Sequence, residues 1–349
     1  MSNNTVIIVG APGSPYSRKM LALLRYRRIP YRWITRGSKE DRGLPAAKVD
    51  LLPLLLFDKG NGELEAAIDS TPLVRRLEEE HAASPLAERS VLPPDPALAL
   101  VDALVEDFAD EWMTKAMFHY RWSFEADVRK ASAVLPRWGR PEAEEGLMLK
   151  MGDVFGQRQI ERRSLVGINA DNSALIEDSY KRTLAALDHA LSRAPYLAGG
   201  RPGAGDFAVY GQLTQLVGFD PTPSGISLEI APRVCAWIDV MDDKSGVEPG
   251  PGDWADRQTT ADNLAPLLAE FGRCYAPFLL ANAAAVEGGK KKAEVTIGSS
   301  TWSQPPFVYQ ARCLAVLRQR YSELGPDDSA WLDQLLAGCG VAALLLEDR

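Results

Sequence analysis

A run of largely β-branched apolar residues, Thr5 to Val9, passes directly into the stretch Ala11 to Arg28, and this junction constrains the fold more than any other part of the chain. The turn residues Pro12, Gly13 and Pro15 open into Met20, Leu21, Leu23 and Leu24 with basic residues between them, the pattern of a strand, a loop and an amphipathic helix. A helix start gathers unpaired N–H groups and the positive end of the helix dipole. A hydroxyl there, on Ser14, Tyr16 or Ser17, is placed to hydrogen-bond a thiolate and favour it over the thiol. The same serines are also ordinary turn and N-cap residues, with Ser17 a natural first residue of the helix. This stretch alone does not choose between the two.

The order of the next elements narrows the fold. Ile29-Pro30 ends the helix and Tyr31 to Thr35 alternates as a second strand, which makes a parallel βαβ unit with a right-handed crossover. After a charged loop over 36–50, Leu51 to Phe57 is an apolar strand with Pro53 at its entry, where a missing N–H is tolerated. Gly60 and Gly62 turn the chain back as a hairpin through Glu63 to Ala67. Asp69-Ser70-Thr71-Pro72 then opens another helix, with Ser70 or Thr71 as N-cap and Leu73, Val74 and Leu77 facing inward, ending near His81.

That order, βαβ then ββα, is thioredoxin-like, and its residues resemble the N-terminal domain of a serine-type glutathione transferase of bacterial kind. Ser14-Pro15-Tyr16 with Arg18-Lys19 resembles the Ser-Pro-Phe/Tyr-x-Arg-Lys opening, Leu52-Pro53 the dipeptide whose proline is cis, and Asp69-Ser70 the acid-Ser pair. The resemblance implies Ser14 as the thiol-activating residue, with Tyr16 as its rival. It implies Leu52 with Pro53 as the backbone anchor for the cysteinyl part of glutathione, and Asp69 with Ser70 as the clamp on its γ-glutamyl end. Two positions depart from the pattern. Asp69 stands where Glu is usual, and Leu51 stands where some plant members carry a Lys for the glycine carboxylate. Arg36 or Lys48 is the candidate replacement for that charge.

Residues 84–97 form a proline-rich linker that is not expected to be regular structure. Leu98, Val101, Val105, Phe108 and Trp112 then recur at helical spacing, with Asp102, Glu106, Asp107, Asp110 and Glu111 between them. The aromatic cluster after them reads first as core. In the resembled family this helix borders the second-substrate pocket, which makes Trp112, His119 and Tyr120 the functional alternative. The pattern weakens between Pro136 and Gly156, where loops are expected, and returns as a helix over Ala174 to Leu191. Pro195 to Phe207 resembles the family turn that leads into a capping box, Ser/Thr-x-x-Asp; Gly203 replaces the hydroxyl residue and Asp206 remains as a structural cap. Pro221 to Ser224 is expected to break the chain before a helix over Ala231 to Met241.

The units expected are thus 1–83, thioredoxin-like and glutathione-binding; the linker 84–97; an all-helical domain, 98–242; and a mostly helical extension, 243–349. In the extension, Leu264 to Tyr275 begins a helix continuing to about Ala285. Ala293 to Ile297 reads as a strand with Phe307-Val308-Tyr309 as its companion, Ala311 to Tyr321 and Asp328 to Leu336 as helices, and Lys290 to Lys292 as a solvated basic turn. No catalytic constellation stands out there, so the extension is expected to be a lid over the second-substrate pocket or a partner surface.

Composition sets the remaining limits. A net charge of −8 argues against nucleic acid as partner, although residues 1–50 hold ten Lys/Arg against three acids, which would draw a small anion or simply form a solvated face. There is no run long enough to span a membrane and no signal-peptide layout at the start, so a cytoplasmic protein is expected. Four scattered cysteines and three histidines supply no metal or disulfide pattern, so no metal is expected. With the resemblance, the function expected is a glutathione-dependent transferase: Ser14 lowers the thiol pKa of bound glutathione, and the thiolate attacks a small hydrophobic electrophile or reduces a peroxide. A homodimer is the family default. The contending reading is a non-catalytic scaffold or binding protein on the same fold, with the extension as its binding surface.

Overall fold

The computed structural model describes residues 5–346. β1 (Val6–Gly10), α1 (Pro15–Tyr26), β2 (Tyr31–Thr35), β3 (Leu54–Asp58), β4 (Leu64–Ile68) and α2 (Ser70–Glu80) follow the thioredoxin-like order expected from the sequence. The sheet runs β2-β1-β3-β4, with β1 parallel to β2 and antiparallel to β3, and β3 antiparallel to β4. Met20, Leu23 and Leu24 of α1 are fully buried, as their helical spacing predicts. Two caps differ from expectation. Ser14, not Ser17, caps α1, its Oγ accepting from the Ser17 N–H at 3.2 Å. Asp69, rather than Ser70 or Thr71, is the N-cap residue of α2.

Register decides where the loops emerge. Val9 lies opposite Leu54, and Leu54 opposite Ile68. The loop that leaves β1, the entry of β3 and the exit of β4 therefore share one end of the sheet. That end carries Ala11 to Ser14, Leu52-Pro53 and Asp69-Ser70.

The helical part begins inside the expected linker. α3 (Pro96–Asp107) starts at a proline, tolerated at a first position, and Asp95 caps it by accepting from Ala97 and Leu98. A π-helical turn, Phe108–Met113, joins it to α4 (Thr114–Ser123). α5 (Glu125–Val134) leads to α6 (Glu145–Glu161), a helix of 17 residues where loops were expected. The glycines that obscured it are contact points: a Cβ on Gly152 or Gly156 would overlap Ser132 of α5. α7 (Ser173–Leu191), α8 (Ala204–Leu216) and α10 (Pro232–Met241) match expectation closely. α9 (Pro221–Ile230) does not, because its prolines stand in the first turn, where they start a helix rather than break one.

The cap of α8 accounts for the glycine at 203. Asp206 accepts from the backbone N–H of Gly203 at 2.9 Å and of Leu197 at 2.8 Å. The missing hydroxyl is replaced from another helix: Asp102 of α3 accepts from Ala204 at 3.1 Å and from Gly205 at 3.0 Å. A Cβ at 203 would overlap the Asp102 carboxylate.

The extension is woven into the helical part. α11 (Arg257–Glu270), a second π-helical turn (Phe271–Tyr275) and α12 (Ala276–Glu287) run consecutively. They are followed by a hairpin of β5 (Ala293–Ile297) and β6 (Ser300–Gln304), then α13 (Val308–Ser322), α14 (Pro326–Ala337) and α15 (Ala342–Leu345). The partner of β5 is thus Ser300–Gln304, joined by a tight turn at Gly298 with φ 59°, and residues 308–309 already belong to a helix. Trp302 of β6 is fully buried and packs on Trp112 and Phe278, ring centroids 5.2 and 5.7 Å apart. Among the described residues no helix is long and apolar enough to cross a membrane.

A serine at position 203 would restore the sequence of a capping box, yet Gly203→Ser is expected to destabilise the protein by about 1–3 kcal/mol in urea unfolding, because overpacking against a fixed carboxylate outweighs the gained hydroxyl.

Candidate functional site

The shared end of the sheet is buttressed by the helical part. Arg121 of α4 reaches the Gly13 carbonyl at 3.2 Å while holding Asp220 through a bidentate pair and Gln215 at 2.8 Å. Gln215 in turn donates to the Pro12 carbonyl at 3.0 Å. The indole of Trp138 lies against Gly13, where a Cβ would overlap it. The loop that presents Ser14 is therefore held from three sides.

Ser14 is half-buried. Its oxygen accepts the α1 cap bond, which leaves the hydroxyl proton available to another acceptor. Tyr16 is placed differently. Its hydroxyl donates to the Asp110 carbonyl at 2.7 Å, and burial, reinforced by Glu111 and Asp110, raises its pKa well above the ordinary phenol value. The only proton of that phenol is committed to the α3–α4 junction.

The Leu52-Pro53 peptide is cis; Leu52 is half-buried and Pro53 buried. Asp69 adopts φ 80° and ψ 109°, a conformation that costs an L-residue of the order of 1–3 kcal/mol and recurs at functional sites. Its carboxylate accepts from the Tyr309 hydroxyl of α13 at 2.8 Å, 240 residues away in sequence. The Ser70 Oγ accepts from Lys19 at 3.3 Å.

Lys19 is the centre of a buried network. Its ammonium, wholly inaccessible to solvent, donates to Asp110 at 2.6 Å and Glu106 at 2.9 Å. Burial alone would depress its pKa, but the two carboxylates outweigh that and hold it above the ordinary lysine value. Glu106 also pairs with Arg75 at 3.3 Å and with the Thr71 hydroxyl at 3.2 Å. The sequence does carry a signal for this network: Asp102, Glu106 and Asp110 recur every fourth residue, a stripe on one helix face.

Beside the network lie further acids. Burial pushes the pKa of Asp107 up to about 8, helped by Glu111. Burial likewise moves Glu111 to about 7 and, against the pull of Lys19, Asp110 to about 6.

The other candidates are placed elsewhere. The guanidinium of Arg36 is paired with Asp41 at 3.3 Å and Asp50 at 3.4 Å, and Lys48 is exposed. Trp112, His119 and Tyr120 are only 4, 2 and 0% exposed, as the core reading of the aromatic cluster has it and unlike the lining of an open second-substrate pocket. The indole of Trp112 donates to Ser179 at 2.9 Å, His119 bonds Glu177 at 3.0 Å, and Tyr120 stacks on Phe124. What closes over Trp112 is the extension, through Trp302, Tyr275 and Phe278. Among the described residues no group of three or more His, Cys, Asp or Glu is arranged to hold a metal ion.

With this geometry in place, the likeness to known proteins can be stated. The model of the glutathione S-transferase N-terminal domain matches residues 8–85 and that of the C-terminal domain matches residues 159–239. Both domain models of a glutathione S-transferase thus match, in that order along the chain. Among solved structures it is similar to a glutathione transferase family member from Pseudomonas fluorescens Pf-5 with two glutathione bound, at 16% identity over 69% of this chain and 89% of that one, TM-score 0.41. It is also similar to a glutathione S-transferase from Methylobacterium radiotolerans in complex with glutathione sulfonate, at 20% identity over 72% and 96%, TM-score 0.40. A third is FzlA from C. crescentus, at 16% identity over 73% and 98%, TM-score 0.39. No curated protein matches the chain.

Acids whose pKa is raised on folding bind their protons more tightly in the native state, so stability falls as pH rises from the ordinary carboxylate range through the raised value. The thermal midpoint is expected to drop between about pH 5 and about pH 9, and Asp107→Asn, which keeps an acceptor for Tyr275, is expected to lessen that drop. Scanning calorimetry across the range checks both.

Proposed function

We infer that this chain is a member of the glutathione transferase superfamily, binds glutathione at the shared end of the sheet and uses it as the nucleophile in a transferase or peroxide-reducing reaction. The observation that carries the reading is the convergence there of three groups that each keep unused hydrogen-bonding capacity. Ser14 keeps a hydroxyl proton, Ser70 keeps one beyond its bond from Lys19, and Asp69 keeps an oxygen beyond the one that Tyr309 holds.

Asp69 would take the ammonium of the γ-glutamyl end and Ser70 its carboxylate. The backbone of Leu52 would pair with the cysteinyl residue. The thiol then lies toward Ser14, whose hydroxyl donates to the sulfur, lowers the thiol pKa and raises the thiolate fraction near neutral pH. The N-terminus of α1 adds its dipole in the same sense. With serine rather than cysteine at position 14, that residue offers no thiol for a mixed disulfide, which favours conjugation or peroxide chemistry over thiol-disulfide exchange. The electrophile would be small and hydrophobic.

A second reading is favoured by the contact of Tyr309 with Asp69 and by the closure over Trp112: a non-catalytic binding protein in which the extension has taken over part of the groove. Calorimetric titration with glutathione separates the two. Heat at millimolar glutathione supports the first reading, and none supports the second.

If Ser14 activates the sulfur, Ser14→Ala lowers the turnover of glutathione with a chloronitrobenzene or an organic hydroperoxide by about tenfold or more, with the affinity for glutathione and the melting temperature little changed. Unchanged turnover would remove Ser14 from that role.

A further inference from the structure

Between α2, α3 and α13 lies a cavity of about 470 Å³, and of the residues assigned above to glutathione only Asp69 borders it. One end is acidic. Asp107, Asp110 and Glu111 line it there, and Asp107 and Glu111 receive hydrogen bonds from neutral donors, Tyr275 at 2.7 Å and Gln310 at 2.9 Å. The side chain of Asp110 is 8% exposed. Its Oδ2 is held by Lys19, and its Oδ1, though buried, has no hydrogen-bond partner among the described residues. A buried carboxylate oxygen without a donor is costly, and one bordering a cavity is matched by a donor that enters the cavity.

The other end is basic. Arg75 of α2 and Arg320 of α13 line it; Arg75 is paired with Glu106, whereas the guanidinium of Arg320 donates to the Ala99 carbonyl at 3.1 Å with no carboxylate within ion-pair distance among the described residues. Burial, and then the like charge of Arg75, lower its pKa. Arg312, Val316 and Arg320 recur every fourth residue along one side of α13. Between the two ends the wall carries Ala103, Val316 and Leu317, together with Glu106, whose carboxylate is already matched by Lys19, Arg75 and the Thr71 hydroxyl.

The unmatched charges are thus separated along the helix, with Arg320 near Ala103 and the free Asp110 oxygen seven residues on; at the helical rise that separation is about 10 Å. A polyamine would satisfy Asp110 but meet the arginines, and a dicarboxylate would do the reverse. A tripeptide in extended form spans about 10 Å and carries one charge of each sign at its ends.

We propose that this cavity binds a short peptide as its zwitterion, the N-terminal ammonium on Asp110 and Glu111, the C-terminal carboxylate on Arg320, and an apolar side chain against Val316 and Leu317. Charge-assisted hydrogen bonds at both ends set the length that fits, and the apolar part of the wall sets the preference for the middle residue. This site goes beyond the glutathione reading and stands on residues that reading does not use.

The test is calorimetric titration of the full chain with Ala-Leu-Ala, alone and with saturating glutathione. Binding is expected in both conditions, weakened about tenfold or more by N-acetylation or by C-terminal amidation of the peptide. Arg320→Gln is expected to weaken the free peptide about tenfold but not its amide, and Val316→Trp, at a position more than half exposed, to fill the cavity and abolish binding without loss of the thermal transition. Absence of heat overturns the proposal, as does equal affinity for the acetylated or amidated peptide or for spermidine. Complete displacement by glutathione also overturns it, since the cavity would then be part of the glutathione groove. Peptide binding in a chain that fails to bind glutathione leaves this proposal standing and removes the other.

Discussion

One buried ammonium holds the N-terminal sheet domain to the helices. Lys19 sits on α1, is sealed from solvent, and divides its three donors among Ser70 at the start of α2 and Glu106 and Asp110 on the long helical segment that opens the second part of the chain. Breaking such a pair from one side leaves an uncompensated charge, at a typical cost of about 3–5 kcal/mol. The position of the α2 N-terminus, and with it Asp69 and Ser70, therefore depends on an ion cluster whose acids belong to the other domain. The shared end of the sheet is thus fixed by electrostatics as well as by apolar packing.

The extension belongs to the same core. Trp302 fills a space between Trp112 and Phe278, the ammonium of Lys115 lies 4.6 Å from the Phe278 ring centroid, and Tyr275 donates to Asp107. Two π-helical turns, one in each partner segment, bring Phe108 and Phe271 into a stack with centroids 5.6 Å apart. Surface that a shorter chain would leave to solvent is here interior, which is why Asp107 and Glu111 carry raised pKa values.

Much of this was legible in the sequence. The thioredoxin-like order followed from alternation, turn residues and helical spacing, and the half capping box at Gly203 and Asp206 was visible as a local pattern. The rest was hidden for identifiable reasons. α6 was masked by glycines whose purpose is close approach to Ser132, and α9 by prolines that read as breakers until their place in a first turn is known. Trp112, His119 and Tyr120 have the same spacing whether they line a pocket or fill a core, and neighbours distant in sequence decide, Trp302 for Trp112, Glu177 for His119 and Tyr180 for Tyr120. Asp102, Glu106 and Asp110 stood out only as polar residues between apolar ones, because their burial is supplied by Lys19, by the start of α8 and by α13, all far away in sequence. Tyr309 carried no local mark at all.

The grip of Arg121 on Gly13, Asp220 and Gln215 has a mechanical corollary. A guanidinium that spends its donors on the loop before α1, on the start of α9 and on α8 rivets the two lobes together next to Ser14, so they travel as one body and no clam-like opening exists at that seam. Traffic to the sheet end must then pass by local rearrangement, through the largely exposed charged segment 38–50 or by a swing of the Trp138 ring off Gly13.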